Sequence, residues 1–291
     1  MLFGIDCASV DDNGDPDWAR AKADGPISFA IVRSNYGTAV DRTFKRYWSA
    51  LGDLEIPRGA YLFLRFPGTE QSVGTPEEQA QAMIDTVGDI DATDLPPSLD
   101  VEFPGGRAAT GLSAADAIQR VCAAYQILKD HYSVSPILYT SGRVWSEDLD
   151  NPNVPGLLDS PLWLARYYIK EKLPAIRDAA RFDNDHWAPP VPQPWGDASN
   201  WWFHQYQGDA TGFPGFKSTV DINRFNPLVN GDTGERVKWV QRRLGCAESG
   251  TFDDALADTL QAFQNKNDLV ADGIVGPRTF ARLCWQKVAA D

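Results

Sequence analysis

Eight short runs rich in β-branched and aromatic residues, separated by stretches with helical spacing, constrain what this chain can fold into. They occupy residues 2–7, 29–36, 59–66, 97–103, 136–142, 161–167, 201–207 and 218–225. Strands alternating with helices predict parallel βα units. Eight such strands in about 225 residues predict an α/β fold closed into a TIM-like (β/α) barrel rather than an open sheet. Two helix starts are written plainly. Thr75 precedes Pro76 with Glu78 three residues on, a capping box with proline in the first turn. Ser113 opens a stretch that sets Ile118, Val121, Tyr125 and Leu128 on one face. After the sixth strand the connections turn rich in proline and glycine ("APPVPQPWGDASN"). Five regular helices followed by three plain strands, approximately (β/α)5(β)3, are therefore expected.

The texture changes at "NPLVNGDTGE". We place a catalytic-sized barrel at 1–226, a linker at 227–235 and a small all-α domain at 236–291. Three amphipathic stripes, carrying Val237, Val240 and Leu244, then Leu256, Leu260 and Phe263, then Phe280 and Leu283, predict a three-helix module. A bundle of that size buries little and is marginal alone.

Side chains alternate across a strand. In "SLDVEF" Leu99 and Val101 share one face, while Ser98, Asp100 and Glu102 share the other. In a barrel the apolar face packs on helices and the polar face looks into the lumen. The Pro-Gly-Gly that follows marks the C-terminal strand end, where barrels of this type place their chemistry. Asp6 closes the first strand, opposite Phe3 and Ile5, and Asp221 lies in the eighth, opposite Val220 and Ile222. First and eighth strands are neighbours in a closed barrel, so Asp6, Asp100, Glu102 and Asp221 are expected on one rim. Clustered carboxyls repel, which keeps at least one protonated beside an ionised partner. Glycoside cleavage needs that arrangement. Residues two apart on a strand have Cα atoms about 6.6–6.8 Å apart, which separates neither a retaining from an inverting geometry. A single strand-end acid reads equally well as a turn cap, and carboxylates can also bind a hard cation; four on one rim favour catalysis.

Composition narrows the substrate. The chain carries a net charge of −13, and residues 1–227 hold 19 Lys+Arg against 31 Asp+Glu, so no basic face offers itself to nucleic acid. Eight of the ten tryptophans precede residue 227, and Tyr36, Tyr61, Tyr139, Tyr167 and Tyr206 sit near strand ends, which suits a sugar polymer. Tyr61, Tyr139, Trp163, Tyr167 and Tyr206 are the candidate substrate-binding aromatics. His131, His186 and His204 lack zinc-ligand spacing, and neither a metal nor another cofactor is expected. No apolar run approaches the roughly 18 residues that cross a bilayer, and "MLFGIDCASVDD" does not read as a secretory signal. Cys7 and Cys122 read as core residues, whereas Cys246 and Cys284 share the C-terminal segment and can pair under oxidising conditions.

With those residues in hand, the chain resembles a glycoside hydrolase family 25 muramidase (Chalaropsis-type lysozyme) followed by a peptidoglycan-binding module. "FGIDCAS", "FAIVRSNYGT", "GAYLF", "PSLDVE", "PILYTSG", "LWLARY" and "VDINRF" carry the first likeness, and "GERVKWVQRRLG" with "LVADGIVGPRTFARL" the second. The resemblance implies hydrolysis of the β-1,4 bond between N-acetylmuramic acid and N-acetylglucosamine. It makes Glu102 the general acid, and Asp100 either the nucleophile or the group that orients the substrate acetamide. Asp6 and Asp221 then hold the sugar and tune those two. Leu62 stands where the family often has histidine, and the first loop is unusually acidic. The implied partner is bacterial peptidoglycan, bound by a monomer without nucleic acid or membrane insertion. The domain pair resembles a phage endolysin, held in the host cytoplasm until a holin opens the membrane and then acting on the cell wall. A silent wall-binding lectin, or a wall amidase or peptidase, are the other readings.

Overall fold

The computed structural model describes residues 2–11, 13–25, 27–68, 73–169 and 188–286; His186 lies outside them. The barrel strands are β1 (Leu2–Cys7), β2 (Ile27–Tyr36), β4 (Arg58–Phe63), β5 (Ser98–Asp100), β6 (Ile137–Ser141), β7 (Leu162–Ile169), β8 (Phe203–Ala210) and β9 (Val220–Phe225), with a two-residue hairpin strand β3 (Ala39–Val40) beside β2. Helices α1 (Trp18–Asp24), α2 (Phe44–Asp53), α3 (Pro76–Val87), α4 (Ala114–Tyr132) and the single turn α5 (Pro155–Leu158) lie in the five connections between the first six barrel strands. Among the described residues no helix joins β7, β8 and β9. Pairing of β1 with both β2 and β9 closes the barrel.

One expectation is corrected. The barrel strands β1, β2 and β4 to β8 pair in parallel, but β9 runs antiparallel to both β8 and β1. Residues 211–219 are too few for a parallel crossover, which needs a dozen or more. The chain therefore turns back, and β9 begins at the rim where β1 ends, opposing Asp6 to Asp221.

The pleat sorts side chains as the alternation requires. Phe3, Ile5, Leu62, Leu99, Val101, Val220 and Ile222 enter the layer beneath the helices. Phe29, Ile31, Tyr61, Tyr139, Trp163, Phe203 and Phe225 fill the lumen. Gly4 faces inward against that filling, where a Cβ would stand 2.4 Å from the Phe29 ring. Helix α3 begins on the predicted capping box: Thr75 Oγ1 accepts from Glu78 N at 3.1 Å, and Glu78 Oε2 from Thr75 N at 2.7 Å.

The C-terminal module is α6 (Glu235–Leu244), α7 (Asp254–Lys266) and α8 (Pro277–Cys284). Val237, Val240, Leu256, Leu260, Phe280 and Leu283 are buried in it. Its core does not stop at the module. Phe280 packs on Trp202, Phe203 and Phe225, with ring centroids 4.7, 5.5 and 5.6 Å apart, at the end of the barrel opposite the acids. Trp285 Nε1 donates to the Asp94 carbonyl at 2.8 Å, and Leu228 bridges to Val275. A bundle marginal alone is thus completed by the barrel floor. All four cysteines are free, so Cys246 and Cys284 are not paired; Cys122 is half-buried rather than core. No described helix is long and apolar enough to cross a membrane.

Candidate active site

Strand β5 ends at Asp100, opposite Phe63 of β4 and Tyr139 of β6, and Glu102 follows two residues later. Phe103 then stacks on Phe66 at 4.3 Å, and Gly105 and Gly106 turn the chain away at φ 83° and 84°. That left-handed backbone region favours glycine. Leu99 and Val101 anchor the strand from the other side, both fully buried. Asp6 and Asp100 are buried at 5% exposure, whereas Glu102 and Asp221 are half-buried and meet the opening.

Amide donors hold the two aspartates of β1 and β9. Asp6 Oδ1 accepts from Gln205 Nε2 at 2.7 Å and from Asn223 Nδ2 at 2.6 Å. Asp221 Oδ2 accepts from Gln205 Nε2 at 3.1 Å, and its Oδ1 from the Asp209 backbone N–H at 2.7 Å. The Gln205 carbonyl oxygen in turn accepts from the hydroxyls of Tyr139 at 2.6 Å and Tyr167 at 2.5 Å. Trp163 Nε1 donates to Asn223 Oδ1 at 2.7 Å, which fixes that amide. Asp100 differs: no N–H or hydroxyl donor reaches its buried Oδ1.

Burial disfavours the charged form of every acid here. It raises Asp6 to about 7, against the pull of the Asn223 and Gln205 amides and with help from Asp11 and Glu102. It raises Asp100 well above the carboxylate range, reinforced by Glu102, by their mutual hydrogen bond and by Asp6, and opposed by Arg33. Glu102 is raised by burial and held back by Asp100 and Arg143. Asp221 is raised well above its ordinary value by burial and then by Asp6. Asp100 and Glu102 thus form a hydrogen-bonded carboxyl pair that retains a proton. Asp6 and Asp221 stand beside it, accepting hydrogen bonds from the Gln205 and Asn223 amides and the Asp209 backbone N–H.

The structure brings the four predicted acids together. Of the aromatics, Tyr139 and Tyr167 reach them, and Tyr167 is the one open to solvent, at 43% exposure. Trp163, at 1% exposure, lies edge-on beneath Tyr139 with centroids 4.5 Å apart, and Tyr61 lies edge-on to Trp163 at 6.2 Å. Both form the floor under the acids rather than an open platform. Tyr206 is a correction. It turns to the helix side and packs on Phe3 at 6.4 Å, because Gln205 takes the lumen face of β8. Leu62 also faces the helices, so the family's histidine position does not touch the rim.

Four participants escaped sequence reasoning. Gln205 shares lumen parity with Phe203, and Asn223 with Asp221, but neutral amides leave no charge pattern. Asp11, in the acidic first loop, accepts from Ala8 N at 2.5 Å and is raised to about 6, chiefly by burial. Arg33, tied to Asp41 at 3.0 and 2.9 Å, supplies a buried cation near the cluster. Among the described residues no group of three or more His, Cys, Asp or Glu side chains is arranged to hold a metal ion.

The family model described as glycosyl hydrolases family 25 matches residues 5–213. The chain belongs to glycosyl hydrolase family 25. A peptidoglycan binding domain model matches residues 233–283. The family 25 fold extends past the matched span, since β9 with Asp221 closes the barrel. The structure is similar to that of a bacterial lysozyme from Streptomyces coelicolor, with 26% identity and a TM-score of 0.61 over 77% of this chain and 92% of that one. It shares its fold with a family 25 glycosyl hydrolase from Bacillus anthracis (23% identity, TM-score 0.59, 77% and 88% covered) and with a muramidase from Acremonium alcalophilum (24%, 0.59, 78% and 94%). No curated protein matches the chain. In this family 25 barrel the half-open Glu102 stands at the rim beside the buried Asp100.

Proposed function

We propose that the protein is a peptidoglycan hydrolase, an N-acetylmuramidase cleaving the β-1,4 bond from N-acetylmuramic acid to N-acetylglucosamine. The carboxyl pair Asp100–Glu102 at the mouth of a family 25 barrel carries the reading. Glu102 is the general acid, since it alone of the pair meets the opening. Asp100 orients the substrate's acetamide: an amide N–H arriving with the sugar supplies the donor its Oδ1 lacks. Asp6 and Asp221 brace the site as acceptors, and Tyr167 borders the sugar. The helical module holds the chain on the wall, and this pairing of domains suits an endolysin acting when a phage-infected host is lysed. Expression in the cytoplasm with and without a holin tests that cellular role, which fails if lysis does not depend on the holin.

The activity is tested on purified peptidoglycan. New reducing ends on muramic acid, absent with Glu102→Gln, are expected. Fragments with intact glycan and cleaved stems would make the protein an amidase or peptidase instead. An absence of any product from wild type would leave a wall-binding lectin.

A further inference from the structure

We propose that Gln205 is a positioning residue whose two amide N–H groups ease the ionisation of Asp6 and Asp221, and so weaken their competition with Asp100 and Glu102 for the transferable proton. The inference rests on the reading of Glu102 as the acid and concerns how that acid comes to be charged with its proton. Every hydrogen-bonding valence of the Gln205 amide is used. Its two N–H groups go to Asp6 Oδ1 and Asp221 Oδ2, and its oxygen accepts from Tyr139 and Tyr167. The amide therefore has nothing left with which to touch a sugar, and acts through its four neighbours.

Its orientation follows from what those neighbours can do. A phenol can donate or accept, whereas an ionised carboxylate only accepts. With nitrogen toward the aspartates, both carboxylates can be ionised and both tyrosines donate inward, leaving their oxygen lone pairs for a ligand. The reversed amide would present its oxygen to two carboxylates and require both to carry protons. Each N–H thus favours the ionised state of the aspartate it meets, and the Asn223 amide repeats this for Asp6. No comparable donor meets Asp100 Oδ1. The difference in donors eases the ionisation of Asp6 and Asp221 relative to that of Asp100.

The charged surroundings of Asp6 and Asp221 do not replace those donors. Facing them are Asp11 beyond β1, Asp100 at the end of β5 with Glu102 just beyond it, and Asp209 from β8, all of which favour protonation. Arg33 from β2 is the nearby cation, but it is engaged by Asp41, and Arg143 beyond β6 acts on Glu102. Tyr61, Tyr139 and Tyr167 and the Cys7 thiol all stay protonated, being raised by burial.

Two variants of the full chain test the idea. Gln205→Met removes the amide at similar volume, and Gln205→Glu keeps its shape while replacing the donors by an acceptor. Carboxyl ¹³C resonances, followed by NMR titration without substrate, should show the Asp6 and Asp221 midpoints rising by about one unit with Met and further with Glu, the loss of one charge-assisted hydrogen bond each. On peptidoglycan, the acidic limb of the pH–rate profile should move up by the same amount while the alkaline limb stays. A merely structural residue would lower the rate at every pH without moving either limb. Unmoved midpoints in a folded variant would overturn the proposal, and so would failure of both variants to fold, which would assign Gln205 to the fold itself. If the midpoints move but wild type cleaves no glycan, the muramidase reading fails and the positioning role stands.

Discussion

The two ends of the barrel bury opposite kinds of surface. At the open end, Asp6 and Asp100 are as hidden as core residues, at 5% exposure, yet they are carboxyls and Asp100 Oδ1 lacks a donor. At the closed end, Trp202, Phe203, Phe225 and Phe280 bury only hydrocarbon and indole against one another. Burial without partners costs free energy for a carboxyl and gains it for an aromatic ring. The fold's stability is therefore concentrated at the floor and its reactivity at the rim, and substitutions at the two ends should have opposite signatures.

The largest effect is expected at the rim, and on rate alone. Glu102→Gln should cut glycan cleavage by about 10²–10⁴-fold, the usual share of a general acid. Its melting temperature at pH 7 should not fall, because a half-buried carboxyl with a raised pKa is replaced by a neutral group of the same shape. A variant that lost both activity and several degrees of melting temperature would make Glu102 structural and erase the contrast.

At the floor the signature should invert. Phe280 is fully buried and touches three barrel aromatics. Phe280→Ala should cost about 3–5 kcal/mol of stability, read by denaturant unfolding, while cleavage of soluble glycan fragments at a permissive temperature is retained. Since the module shares its core with the barrel, the loss should appear in the transitions of both. A module that melts separately, with the barrel's transition unmoved, would show the seam to be a contact rather than a common core.

This division also explains what could be read from the sequence. The acid rim was legible because period-two alternation writes faces directly: Leu99 and Val101 against Asp100 and Glu102 admit one register once a face is buried. The direction of β9 was not legible in the same way, since alternation is identical read forwards or backwards. Only the shortness of residues 211–219 betrays it. Tyr206 was misplaced because "WWFHQYQ" puts bulky and polar groups on both faces, so the parity that gives Gln205 the lumen is undecided locally. The seam was hidden for a further reason. Trp202, Phe203 and Phe225 read as ordinary strand core, and nothing in a strand's own pattern says whether its floor is capped by a helix of the same domain or by another module.

The smallest predicted effect tests the electrostatic half of the comparison most directly. Asp6 is raised to about 7 in the folded protein, by burial first, against about 3.9 in an unfolded chain. Between those values the folded state binds the proton and the unfolded state does not. The stability linked to this group is thus fully present below about pH 4 and is lost as pH rises through about 7. Asp6→Asn stays neutral throughout, and its side-chain oxygen can still accept from both Gln205 and Asn223, because both donors converge on Oδ1. The variant should therefore melt about 2–4 °C above wild type at pH 7.5, the response of a chain this size to ~1 kcal/mol. The advantage should shrink to nothing near pH 4, where both proteins are neutral at this position. The gain is smaller than the full shift would allow because the two amides lose charge-assisted hydrogen bonds to the ionised acid. Thermal scans across pH 4 to 8 decide it: a gain independent of pH would reflect packing, and a loss at pH 7.5 would mean that the rim, like the floor, is built for stability.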